Sequence, residues 1–200
     1  MKTLSATILT LALPIAVGAQ QPSVSQQANP AANPITTSFR QRTIGLQRNL
    51  AQAFDSIPAS KFSYKPTAAQ LTIGYIAQHL ASDNYLFCNA FGNMKAPRDA
   101  KDTTTADSVK ATWPRDVLIA KLKESLTFCE NAFNQLDDAK LGESVTLSFG
   151  GNSRQVPRIN MVLGHALDMA DHYSQIANYM RLNNIVPPTA LPRPGRGGGQ

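Results

Sequence analysis

Four stretches of this chain repeat their apolar residues every three or four positions, the spacing that lines one side of an α-helix and drives such helices to pack together. The first runs from about Thr36 to Ser56, with Phe39, Leu46, Leu50, Ala53 and Ile57 in register, and stops before Pro58. The second starts at a capping-box pattern, Thr67-Ala-Ala-Gln70, and carries Gly74, Ala77, Ala81, Asn84, Cys88 and Phe91 on one stripe before Gly92-Asn93. The third starts near Pro114, presents Leu118, Leu122, Ser125, Cys129, Ala132 and Leu136, and stops near Asp137-Asp138. The fourth spans about Arg158 to Leu182, with Asn183-Asn184 suited to a left-handed cap. Between the third and fourth, Val145 to Phe149 alternates in polarity, Gly150 to Ser153 makes a turn, and Arg154 to Val156 pairs back as a short hairpin. The fold class is all-α, a four-helix bundle with a β-hairpin between helices 3 and 4.

The connection from Asn93 to Thr112 is polar, with four threonines and several charges, and reads as too hydrophilic for core. Its length lets the chain return to its starting end, which makes helices two and three parallel rather than antiparallel. Cys88 and Cys129 then sit at similar heights, where they either form one disulfide or remain two buried thiols; geometry decides.

The ends of the chain have a different character. Met1-Lys-Thr, the apolar run from Leu4 and the small residues Val17-Gly-Ala19 form a secretory signal, so residues 1–19 are expected to be removed. Residues 20–35 have the Gln, Ser, Ala, Asn and Pro content of a solvated linker, 36–188 the folded domain, and 189–200 a Pro, Gly and Arg tail. The apolar run of the signal is too short to span a bilayer, and no later run reaches the roughly 20 apolar residues that this takes. The expected location is the periplasm or the exterior, without membrane insertion. The formal charge of +6 arises from scattered arginines rather than a stripe, which argues against a nucleic-acid partner. No Gly-rich phosphate loop or Gly-x-Ser-x-Gly elbow is present.

Against this background three polar residues stand out. Asp168 and His172 are four apart, on one helical face and about 6 Å apart along the axis, which is ligand spacing. His79 arrives from the second helix, and the three side chains together form an open-site set for one divalent ion. Taken alone, His79 reads as a core histidine and Asp168 with His172 as an intrahelical ion pair. Asp83, one turn after His79, is placed to orient the ring of a ligand. His165 lies two turns from His172, too far to share the ion.

The stretches Lys61-Phe-Ser-Tyr-Lys-Pro66, Thr72-Ile-Gly-Tyr-Ile-Ala-Gln-His79-Leu80 and Asp171-His172-Tyr-Ser-Gln175-Ile-Ala-Asn-Tyr-Met-Arg181, followed by Ile185-Val-Pro-Pro188, resemble the DinB-like (DinB/YfiT) metalloenzyme superfamily. The resemblance implies an up-down-down-up bundle that binds nickel or zinc through one His on the second helix and a His-x-x-x-His pair on the fourth. The second-helix ligand falls on His79, the last His on His172 and the family's downstream Gln on Gln175, which becomes an orienting residue. The first His of the pair falls on Asp168, and the His before the last falls on Asp171. Asp168 keeps the site chemically sound with a harder donor, since two His and one carboxylate form a known open set. The resemblance further implies hydrolysis or thiol transfer on a small molecule of unknown identity. A homodimer fits the reading as well. The rival reading is a non-catalytic binding or structural bundle in which the ion site has lapsed.

Overall fold

The computed structural model describes residues 32–192; the expected signal sequence, most of the expected linker and the last eight residues of the tail lie outside the described residues. Four long helices dominate: α1 (Pro34–Ser56), α2 (Ile73–Gly92), α5 (Arg115–Phe133) and α6 (Arg158–Leu182). Two short helices, α3 (Ala100–Thr104) and α4 (Asp107–Lys110), lie between α2 and α5. A two-stranded antiparallel sheet, β1 (Ser144–Phe149) and β2 (Asn152–Pro157), precedes α6.

The apolar stripes explain the packing. The α2 and α5 stripe residues named above are all buried, and two contiguous clusters result. One gathers Leu50, Phe54, Leu80, Leu122 and Ile176; the other gathers Phe91, Phe133, Val162 and the two cysteines. Cys88 and Cys129 form a disulfide, with Cα atoms 5.2 Å apart. One turn earlier, Asn84 Nδ2 donates to Ser125 Oγ at 2.9 Å. Both pairs are separated by 41 residues, so α2 and α5 run parallel. Against α6 the order reverses: Arg158 meets the carbonyl of Phe91, and Asn84 meets His165. α2 and α6 are therefore antiparallel.

The start of α2 departs from the capping-box reading. Thr67 and Gln70 do bond to each other, but only within a turn; the cap is Thr72, whose hydroxyl accepts from the Tyr75 N–H at 3.1 Å. The reason lies in the preceding loop. The N–H groups of Ile73 and Gly74 donate to the carbonyls of Tyr64 and Phe62 at 3.1 and 2.8 Å, so residues 62–72 lie against the helix end and satisfy its free donors. Gly74 permits this approach, because a Cβ there would collide with the Ala111 carbonyl oxygen.

The 93–112 connection also differs from expectation, since it contains α3 and α4 and buries two charged residues. Asp102 accepts from Arg98 Nε at 2.8 Å, and Lys110 Nζ pairs with Asp107 at 2.8 Å while reaching Ser82 and the Asp102 carbonyl. Paired charges are tolerated at low exposure where isolated ones are not. At the other boundaries, α1 starts at Pro34, two residues early, and α5 ends at Phe133, although Leu136 beyond it remains buried. α6 begins and ends where its periodicity does, and Asn184 adopts φ 58 just after it.

Candidate metal centre

α2 and α6 bring His79, Asp168 and His172 together. One ligating atom from each lies within 4.8 Å of the other two. Asp168 Oδ1 is 3.4 Å from His172 Nε2 and 3.9 Å from His79 Nε2, and the two imidazole rings meet edge to face at 4.8 Å between centroids. The antiparallel packing of α2 on α6 places His79 opposite the Asp168–His172 turn. Asp168 and His172 lie near the middle of α6.

The His172 ring is fixed from behind. Gln175 Nε2 donates to Asp171 Oδ2 at 3.0 Å, which turns Oε1 toward the ring; Nδ1 of His172 donates to that oxygen at 3.2 Å. Nε2 is therefore the nitrogen presented to Asp168. Burial by itself lowers the His172 pKa, but its hydrogen bond to Asp168 and that carboxylate's charge, helped by Gln175 and Asp171, bring it above the ordinary value.

Asp83 does not stand behind His79. Its Oδ2 is 3.5 Å from Nε2, the same nitrogen that faces Asp168, so it lies on the ligand side of the ring. Burial pushes its pKa up to about 6, with the Asp168 charge adding to the effect and His79 opposing it. The sequence gives Asp83 a helical neighbour relation to His79 but not the side of the ring it reaches.

His165 belongs elsewhere. It is fully buried among Phe87, Phe91 and Phe133, with Nε2 bonded to Asn84 Oδ1 at 3.0 Å. Burial lowers its pKa to about 4, so the ring is neutral. His165 also converges with Cys88 and Cys129, but the two sulfurs are bonded to each other and offer no thiolate.

A cleft of about 550 Å³ adjoins the site on its His79 side, bounded by Tyr75, His79 and Asp83 of α2, Asp107 of α4, and the hairpin. A larger groove of about 770 Å³ lies beyond Tyr75, beside Trp113, and holds none of the clustered ligands.

The three donors suit a single divalent ion. Two imidazoles and a carboxylate supply the donor types of open zinc sites. Asp168 Oδ2 is buried and has no hydrogen-bond partner among the described residues, a costly arrangement for a carboxylate that an ion would relieve.

Fold and site together describe a helical domain in which two imidazoles and a carboxylate come close enough to hold a metal ion. The profile of the DinB superfamily, a group associated with metal binding, matches residues 43–176, and the chain belongs to that superfamily. Two solved structures share the fold. A DinB-like protein from Bacillus cereus ATCC 10987 has 16% identity and a TM-score of 0.58, covering 76% of this chain and 95% of its own. A conserved protein from Enterococcus faecalis has 13% identity and a TM-score of 0.56, covering 74% and 96% respectively. A search of curated proteins returned no match.

Proposed function

We propose that this chain is an exported DinB-superfamily domain, folded as an up-down-down-up bundle over residues 36–188, that binds one zinc or nickel ion through His79, Asp168 and His172 and acts on a small molecule. The observation that carries the reading is the convergence of both imidazoles on Asp168 Oδ1, in a carboxylate whose other oxygen, Oδ2, is buried and without a partner among the described residues. Such an ion supplies a Lewis acid for hydrolysis or thiol transfer. An oxidising compartment with little low-molecular-weight thiol favours hydrolysis. The chain's own residues do the positioning: Gln175 sets the His172 ring, and Asp83, with its raised pKa, is available to take or give a proton beside His79.

Export is supported by the signal-like residues 1–19 and by the disulfide, a bond typical of oxidising compartments. Among the described residues no helix is long and apolar enough to cross a membrane.

One observation favours the rival, a non-catalytic bundle. Asp168 Oδ1 lies near both imidazoles at distances that a protonated histidine satisfies without an ion. Calorimetric titration of chelator-treated protein with zinc and nickel separates the two readings. The metal reading expects one site per chain, lost in His172→Ala and in His79→Ala. No heat above background in the wild type leaves the non-catalytic bundle. N-terminal mass analysis of protein from its native host tests export, with Gln20 as the expected first residue and an intact Met1 as the result that refutes it.

A further inference from the structure

The hairpin places Arg154 against the pattern of its strand. In the antiparallel register Val145 faces Val156 and Leu147 faces Arg154, and cross-strand partners share a face of the sheet. Val145 and Val156 are buried, and Leu147 packs on the same cluster, so this is the inward face. The opposite face is polar and tied across the strands by Ser148 with Ser153 at 2.8 Å and Gln155 with Thr146 at 2.9 Å. Alternation calls for an apolar residue at position 154. Arg154 stands there instead, exposed at the cleft that His79 and Asp83 line.

Arg154 takes part in none of the ion pairs among the described residues. The cleft around it is two-signed. Asp83 and Asp107 lie on its helical wall, where Asp107 is already engaged by Lys110, and the Arg154 cation lies on the hairpin wall. Leu86, Phe87 and Leu147 supply an apolar surface in the same cleft. A guanidinium offers paired donors matched to a carboxylate.

From this juxtaposition we infer that the cleft takes a small organic carboxylate with an apolar body, Arg154 holding the anionic group while the apolar part lies on Leu86, Phe87 and Leu147. The inference rests on the metal-centred reading for the chemistry done there, but the Arg154 contact is separable from it. Arg154 is a specificity residue here, and the reacting end of the molecule points toward His79.

The test compares 3-phenylpropanoate with its neutral amide, 3-phenylpropanamide, by calorimetry on the zinc-treated and the metal-free protein. The wild type is expected to prefer the carboxylate by about 10-fold in both states. Arg154→Gln is expected to remove the preference and Arg154→Lys to keep part of it; both replacements are at an exposed position and leave the core untouched. If Arg154→Gln retains the preference, or the wild type binds neither compound, the inference is overturned. Zinc binding with an Arg154-independent preference overturns this inference and leaves the metal reading intact. An Arg154-dependent preference in a protein that binds no zinc does the reverse.

Discussion

Oδ1 of Asp168 lies 3.4 Å from Nε2 of His172, one helical turn away, while the other nitrogen of the same ring is bound to Gln175. The imidazole is held on both sides, and its Nε2 edge is directed at the point where His79 arrives. Asp168 thus stands between the two imidazoles, at the position where the resemblance read from the sequence implies the first His of a His-x-x-x-His pair.

Asp168→His is expected to keep zinc or nickel binding and to tighten it, because imidazole suits these ions better than a carboxylate does. Asp168→Ala removes one of three donors and should weaken binding by at least about 100-fold, beyond what loss of an orienting group causes. Competition against a chromophoric chelator reads both variants; equal affinity of wild type and Asp168→Ala would remove Asp168 from the ligand set.

Gln175→Ala frees the His172 ring without deleting a donor. Metal affinity is expected to fall by about 10- to 100-fold at unchanged stoichiometry, the range found for orienting partners of metal-bound histidines. Loss of the one-to-one stoichiometry in the same titration would show that Gln175 does more than orient.

The disulfide closes a separation of 41 residues between α2 and α5. Restriction of the unfolded chain should make it contribute about 3–4 kcal/mol. Urea unfolding of the wild type against Cys88→Ser with Cys129→Ser measures this. The double variant is expected to unfold at lower urea, with zinc affinity unchanged because neither sulfur is in the ligand cluster.

His165 makes stability fall in acid. Its pKa is near 6.5 in the unfolded chain and about 4 when buried, so between those values the unfolded state takes up a proton that the folded state refuses. The contribution is complete above pH 6.5, declines as pH falls toward 4 and then levels off. From pH 7 to pH 5 this group alone should cost about 2 kcal/mol. Unfolding curves for wild type and His165→Gln at the two pH values isolate the effect, and a loss of the same size in both proteins would assign it elsewhere.

What could be read from the sequence was local and periodic. The buried stripes of α2 and α5, the hairpin and both ends of α6 follow from spacings of three, four and two residues, because helix and strand geometry repeat along the chain itself. Spacing likewise put Asp168 and His172 on one face, and the DinB-like stretches around His79 and His172 carried the family.

Tertiary structure decided what spacing leaves open. Thr67 has the sequence of a cap, yet Thr72 caps α2, because carbonyls from Phe62 and Tyr64 claim the first helical donors. Asp102 and Lys110 look like solvated loop residues and become buried because partners meet them there. Asp83 turned out to reach the ligand side of His79, and Arg154 to face the same cleft from the hairpin. Each of these outcomes depends on atoms distant in sequence approaching within a few ångströms, and a one-dimensional pattern encodes the period of a side chain's direction but not the neighbour it finds.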